Sequence, residues 1–340
     1  MNKIKKLLLI IIPILLLSGC LLFKNKKSDK IDKIEKEVIE VNKKPILNKI
    51  DIKSATFASD IVLDELSKDS ENTYKTTKIN NLTQIESLDF DIAIVPAYQV
   101  VDLYNKTDGN IKLAAITGVN NLHIISDKQI NGPKDMAGKT IMVPELNDSM
   151  NRLIDTKLGF VKTLMRINTE FYYSQKELVK NLDSANNILA ILSEPYYSKA
   201  LAKKNYYSFD ANKAISMLPN SKVDSNGDFL SEVIIVNKNF LMDNKKSVDK
   251  FLSDYKKAQQ SIDSNTVLSQ SIINNYDITN EEAIKIYKSM ENTYIDSDTM
   301  SGVFEIYMDK LENLDSNIFS GKRPTDDLYY NIKWNFWSDN

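Results

Sequence analysis

Cysteine occurs once in the 340 residues, at Cys20, so the chain forms no internal disulfide and no cysteine-based metal site. Histidine also occurs once, at His123. It lies in an apolar stretch, where a structural role suits it better than that of a general base. The chain has no Gly-x-Ser-x-Gly, His-Glu-x-x-His, P-loop or Gly-x-Gly-x-x-Gly pattern, and with those go the commonest hydrolase, zinc-protease and nucleotide signatures. Asp224, Asn226 and Asp228 start like a calcium loop, but Phe229 stands where that loop needs glycine, and the segment reads as a turn. A basic excess is missing as well. The 44 Lys and Arg are scattered among 46 Asp and Glu, which excludes the basic face of a nucleic-acid binder. The expectation is a non-enzyme with no metal, no cofactor and no nucleic-acid partner.

What the chain does have begins at its first residues. Lys3, Lys5 and Lys6 precede an apolar run from Leu7 to Leu17. The run is about half the ~20 residues a bilayer-spanning helix needs, so residues 1–19 read as a secretory signal peptide. Leu17-Ser18-Gly19-Cys20 resembles the lipobox of bacterial lipoproteins. That resemblance implies cleavage before Cys20, lipidation of its thiol with palmitate or a similar chain, and a mature protein tethered outside the cell membrane. Removing 19 of the 340 residues takes three lysines with it and leaves 321 residues of net charge −5. Residues 20–49 follow as a charged linker, with about 25 flexible residues reaching roughly 25 to 30 Å.

From Ile50 onward short apolar runs alternate with amphipathic stretches. The pattern predicts strands over 52–57, 74–79, 91–96 and 111–117, with helices over 59–66, 82–88 and 97–104 between them. Strands apolar on both faces and separated by helices indicate a parallel sheet covered on both sides. The order breaks at Gly118, because a strand over 122–126 follows with no helix between. A second series comes next, with strands over 139–143, 169–172 and 187–192 and helices over 148–158, 174–182 and 194–203. A last strand over 232–236 leads into helices only, one capped by Asn244, one opened by the Thr279 and Glu282 capping box, and one marked by Met300, Val303, Phe304, Tyr307 and Leu311. The fold class is α/β with two βα lobes. Lobe 1 is discontinuous, 50–121 and 229–340, and lobe 2 is 122–228, joined by two crossings and followed by a helical C-terminal part.

At this point the motifs carry a resemblance. Asp91-Ile92-Ala93-Ile94-Val95-Pro96-Ala97, Gly132-Pro133-Lys134-Asp135-Met136-Ala137-Gly138-Lys139-Thr140-Ile141, Ser193-Glu194-Pro195-Tyr196 and Val236-Asn237-Lys238-Asn239-Phe240-Leu241 are similar, in order and spacing, to the solute-binding proteins of ABC importers of the nitrate/taurine/sulfonate and thiamine-precursor family. Gly321-Lys322-Arg323-Pro324 resembles a closing motif of some Gram-positive members. The resemblance implies a two-lobed type II periplasmic-binding fold. It also implies a monomeric, extracytoplasmic receptor that closes on a small molecule by hinge motion and hands it to a permease with its ATPase. Other users of that fold supply the alternatives, a surface scaffold for protein interactions or an enzyme of the pyrimidine-synthase or menaquinone-pathway type.

In such a fold the ligand lies at strand ends and helix starts, where free N–H groups and the helix dipole favour an anion. The expected ligand-binding residues are Phe57, Ser59, Pro96, Ala97, Tyr98, Thr117, Gly118, Asn147, Asp148, Ser149, Glu194, Tyr196 and Tyr197. The hinge is expected at Gly118, Asn121, Gly227 and Ser231. Asn147, Asp148 or Ser149 serves equally as a helix cap worth about 1 kcal/mol, and each aromatic taken singly suits the core better than a ligand wall. Glu194 is either a cap, an inter-lobe ion pair or a ligand contact, and as a ligand contact it favours an amine over a sulfonate or nitrate.

Overall fold

The computed structural model describes residues 49–68, 74–144, 151, 159, 162–210, 229–319 and 321–330. Two mixed sheets organise them. In chain order the strands are β1 (Ile50–Ser54), β2 (Tyr74–Lys78), β3 (Ile92–Pro96), β4 (Ile111–Val119), β5 (His123–Ser126), β6 (Thr140–Pro144), β7 (Asn168–Tyr172), β8 (Ile188–Leu192), β9 (Tyr207–Asp210), β10 (Leu230–Asn237) and β11 (Glu291–Asp296). The helices among the described residues include α1 (Phe57–Leu66), α2 (Thr83–Glu86), α3 (Val100–Lys106), α4 (Gln175–Asn181), α5 (Tyr196–Lys203), α6 (Lys238–Ser261), α7 (Gln270–Tyr276), α8 (Asn280–Ser289) and α9 (Ser297–Leu314).

The six-stranded sheet has the order β11-β4-β10-β3-β1-β2 and the five-stranded sheet the order β7-β6-β8-β5-β9. Both follow one plan. Three parallel strands come first, then a strand that runs against them, β10 beside β3 and β5 beside β8. Those two reversed strands belong to the crossings. β5 leaves the first sheet after β4, and β10 enters it from the far side, so each meets its neighbours antiparallel. The purely parallel expectation therefore gives way to mixed sheets. The crossings also hold one another, since Asn120 N donates to Phe229 O at 2.7 Å and Phe229 N to Asn120 Oδ1 at 2.8 Å.

The core explains why these segments form strands. Ile92, Ala93, Ile94 and Val95 are completely buried, as are Val233 to Val236, so both faces of β3 and β10 are covered. One face packs against α1, α6, α7 and α8 through Ile61, Phe251 and Tyr255, the other against α3 and α9 through Leu103, Phe304 and Met308. The five-stranded sheet has its own cores around Met142 and Leu178 and around Val143 and Ile167.

Several boundaries move for local reasons. β1 ends at Ser54, because Thr56 leaves the sheet and caps α1, accepting from Ser59 N at 3.3 Å. The helix expected from Asn244 starts earlier, at Lys238, with Asn237 Oδ1 accepting from Asn239 N at 3.0 Å; Asn244 sits at a kink within it, where its amide donates to Phe240 O. The Thr279 and Glu282 capping box forms as expected. A helices-only ending does not hold, because Glu291–Asp296 adds β11 to the edge of the first sheet against β4. β9 was likewise not expected. The expected helix over 148–158 lies largely outside the described residues, and Cys20 with residues 1–48 wholly so. No helix among the described residues is long and apolar enough to cross a membrane.

Phe251 is fully buried in α6 and meets Tyr74 edge to face at 5.3 Å. Phe251→Ala should lower the unfolding free energy by about 3–5 kcal/mol, measured by urea unfolding. Met242→Ala, at an exposed position of the same helix, should change it by no more than about 0.5 kcal/mol.

Candidate functional site

The strands of the first sheet end where α1 begins, and a carboxylate is buried at that junction. Glu232 stands near the start of β10, opposite Pro96 of β3 and Gly118 of β4, and is 4% exposed. Its Oε1 accepts from Thr117 Oγ1 at 2.7 Å and Tyr255 OH at 3.3 Å. Its Oε2 accepts from Ser59 N at 3.3 Å and is in close contact with Thr56 Oγ1. Burial pushes this carboxyl above the usual carboxylate range, and the hydroxyl and amide donors pull against that shift. No lysine or arginine pairs with it among the described residues. A cavity of about 20 Å³ opens beside it, lined by Thr56, Gly118, Asn121, Ser231 and Glu291 among others, which is room for one water molecule.

A second acid lies next to it. Asp60 in α1 is 5% exposed. It accepts from Tyr276 OH at 2.6 Å and from Ser54 Oγ, and Lys78 Nζ stands 3.6 Å away. Burial raises Asp60 while Lys78 holds it down, and burial lowers Lys78 while Asp60 supports its charge. The Lys78 ammonium also sits 3.5 Å over the Tyr276 ring, a cation–π contact.

The residues expected at the site divide into groups. Ser59, Thr117 and Gly118 meet around Glu232, with Pro96 paired to it in the sheet. Gly118 has a steric reason to be glycine, since a Cβ there would lie 2.9 Å from Ser231 Oγ. Phe57 packs edge to face on Tyr276 at 4.9 Å, and Tyr196 lies 6.4 Å from the same ring while packing against the cores of both sheets. Ala97 is buried in the core, and Tyr98 packs against the opposite core cluster, where loss of solvent pushes its phenol up to about 12. Tyr197 stacks on His123 at 4.0 Å and bonds Ser208 Oγ at 2.9 Å.

Glu194 takes the first of its alternatives. It is 7% exposed, and its carboxylate accepts from Ser198 N at 3.1 Å and Ser198 Oγ at 2.8 Å, which caps the start of α5. Its own N–H donates to Asn121 Oδ1 at 2.9 Å. Asn121 and Ser231 line the cavity beside Glu232. Asn147, Asp148, Ser149 and Gly227 lie outside the described residues. The two sheets' helices also touch directly, because Lys199 Nζ of α5 donates to the carbonyls of Tyr276 and Asp277 at 2.7 and 2.8 Å, a cation at a helix C-terminus.

Glu232, Asp60, Lys78, Tyr255 and Tyr276 were not among the expected residues. The available signal was a lone acid in the run Leu230-Ser231-Glu232-Val233-Ile234-Ile235-Val236, since a charge inside a strand otherwise buried on both faces requires partners.

A family model described as NMT1/THI5 like matches residues 83–265. No curated protein matches the chain by sequence. Among solved structures, the periplasmic aliphatic sulphonate binding protein SsuA from Escherichia coli is 11% identical, with 82% of this chain and 95% of that one covered and a TM-score of 0.57. The alkanesulfonate-binding protein SsuA from Xanthomonas axonopodis pv. citri, bound to MOPS, is 9% identical over 81% and 94%, also at 0.57. An ABC transporter protein from Parabacteroides distasonis is 13% identical over 83% and 99%, at 0.55. The shared fold is the two-lobed type II periplasmic-binding fold.

Thr117→Val keeps the shape of the side chain and removes one donor to the buried Glu232. It should cost about 1–3 kcal/mol of stability, read by urea unfolding, whereas Thr83→Val at an exposed position should leave stability nearly unchanged.

Proposed function

Because the chain belongs to the NMT1/THI5-like family and carries the type II periplasmic-binding fold, we propose that it is the extracytoplasmic solute-binding component of an ABC transporter. It captures a small organic solute between its lobes, 50–121 with 229–340 and 122–228, and delivers it to a membrane permease and its ATPase. Cys20 anchors it by lipid to the outer face of the membrane, and it works as a monomer. Closure is a hinge motion at the crossings, where Gly118, Asn121 and Ser231 lie and where Asn120 and Phe229 bond each other; Gly227, expected to take part, lies outside the described residues.

The solute class follows from one observation. In a fold of this kind the N-terminus of α1 is a seat for an anion, and here Glu232 already occupies it, accepting from Ser59 N at 3.3 Å. A sulfonate or nitrate in that place would meet a buried carboxyl group. An amino group would meet an acceptor. The solute is therefore an amine-bearing molecule of thiamine-precursor-like size, in preference to the sulfonates that the SsuA proteins are named for. Tyr196, half-buried against the cores of both sheets, is the flat surface for a ring-bearing solute in this reading.

A scaffold role is the second reading, and the size of the cavity speaks for it. The 20 Å³ beside Glu232 admits the head of a solute and no more, so the lobes must part for entry. An enzymatic role is less well supported, because the single histidine, His123, is stacked on Tyr197.

Thermal unfolding of the chain from about Asp29, screened against aminopyrimidines, thiamine, riboflavin, amino acids, taurine, alkyl sulfonates and nitrate, separates these readings. An amine-bearing compound at a hundred times its dissociation constant should stabilise the protein by about 2.7 kcal/mol, with no response to nitrate or simple sulfonates. A response to sulfonates alone would refute the amine assignment, and no response to any compound, on protein free of carried-over solute, would favour the scaffold.

A further inference from the structure

An unbroken line of hydroxyl groups joins Glu232 to Asp60. Glu232 Oε2 meets Thr56 Oγ1, Thr56 Oγ1 meets Ser59 Oγ, Ser59 Oγ lies 2.7 Å from Ser54 Oγ, and Ser54 Oγ meets Asp60 Oδ1. Each of these four contacts between oxygens needs one proton to be a hydrogen bond, and the three hydroxyls supply one each. With both carboxyl groups ionised, one contact would be two lone pairs facing each other. Ser59 Oγ also lies 3.1 Å from Thr56 O, and donating there would deepen the shortfall. A fourth proton therefore resides on one of the two acids.

The surroundings decide which. Asp60 faces the Lys78 ammonium at 3.6 Å and receives the Tyr276 hydroxyl at 2.6 Å, so Asp60 carries the charge. Glu232 is met by neutral donors, the hydroxyls of Thr117 and Tyr255 and the amide of Ser59. The phenol of Tyr287 in α8 is 3% exposed and has no hydrogen-bond partner among the described residues; burial raises it first, and a charge on Glu232 would raise it further. Glu291 of β11 lines the same cavity as Glu232 and accepts from Asn120 Nδ2 at 2.8 Å. A second carboxylate facing the cavity favours a proton on Glu232 and attracts a cation to the space between them.

Resting on the solute-binding reading above, we propose that in the empty cleft Glu232 holds a proton, in line with Asp60 through Thr56, Ser59 and Ser54, and that the cationic amine of the solute binds by exchanging for that proton. The carboxyl O–H bond of Glu232 breaks, its electron pair stays on the carboxylate, and the proton passes to solvent water. The ammonium group fills the water-sized cavity and donates to Glu232 Oε2 and to Thr56 Oγ1, while Thr56 donates onward to Ser59. The three hydroxyl protons then serve the Thr56–Ser59, Ser59–Ser54 and Ser54–Asp60 contacts, and two N–H groups, one to each oxygen, replace the direct contact between Glu232 and Thr56. Binding releases one proton, so affinity rises with pH by up to tenfold per unit while Glu232 is protonated in the empty protein and the amine is charged.

Two measurements test this. Urea unfolding of the wild type and of Glu232→Gln, without ligand, is followed from about pH 4.5 to pH 8. The neutral form of Glu232 stabilises the fold fully below its ordinary value of 4.5 and less as pH rises. The wild type should therefore match the glutamine variant at the acid end and fall behind it progressively. Parallel curves would overturn the proposal. If the variant does not fold, the infrared spectrum of the wild type at neutral pH should show the carbonyl band of a buried protonated carboxyl, and its absence would overturn the proposal equally.

The second measurement is calorimetric titration with the amine-bearing compound that stabilises the protein, in phosphate and in Tris, at about pH 6 and pH 7. Proton release, up to one per amine bound, should accompany binding, with affinity higher at pH 7 than at pH 6 by up to tenfold. An amine that binds without proton release and equally at both pH values would end the exchange mechanism and leave the solute-binding role standing. If no compound binds, the role and the exchange fall together, while the unfolding curves still decide where the proton resides.

Discussion

Glu232 is taken out of water at the point where β3 and β4 end, β10 begins and α1 starts, and the groups around it are arranged to meet that cost. A buried carboxyl without partners is worth several kcal/mol against folding, and here three donors, Ser59 N, Thr117 Oγ1 and Tyr255 OH, converge on it from three other parts of the chain, with Thr56 Oγ1 in contact besides. The residues that satisfy it are also the ones that fix local structure. Thr56 caps α1, Thr117 is followed by the glycine that lets β4 approach Ser231, and Tyr255 anchors α6 in the core. One acid thus ties the strand ends, a helix start and the second crossing into a single polar cluster beneath the cleft.

On the proposed reading, that cluster sets the cleft apart from one built for anions. Helix N-termini favour negative charge through their free N–H groups and dipole. When the chain supplies its own carboxyl to such a terminus, the remaining demand is for a donor. The adjoining acid, Asp60, is balanced by Lys78 and Tyr276, so it adds polarity without adding a free charge. The contact of Lys199 with the end of α7 and the packing of Tyr196 on both cores then link the two sheets around this point.

Much of the architecture was legible in the sequence because its strands are short, apolar and separated by helices with recognisable caps, as at Ser174 and Thr279. The break after Gly118 announced the first crossing. Two strands escaped notice for physical reasons. β11 sits between two strongly amphipathic helices, with only Tyr294 and Ile295 as apolar residues in six, and it depends on β4 for its shape. β9 is four residues long. The site was less legible. Ser59, Thr117 and Gly118, expected from their places at strand ends, come together around Glu232, while the Glu194 carboxylate meets Ser198 at the start of α5. Glu232 stands out in the sequence only as a lone acid in an apolar strand, and its partners cannot be read there, since Thr56 and Thr117 are separated from it by 176 and 115 positions.

The contrast between those two acids gives the most direct test of the account. The affinity of an amine-bearing solute would be compared in the wild type, Glu232→Gln and Glu194→Gln. A hydrogen bond to a charged group is worth about 1.5–3 kcal/mol, so Glu232→Gln should weaken binding by roughly tenfold to a hundredfold. Glu194→Gln should leave it nearly unchanged. Loss of affinity in Glu194→Gln with full retention in Glu232→Gln would contradict the assignment of the buried acid on β10 as the solute's partner.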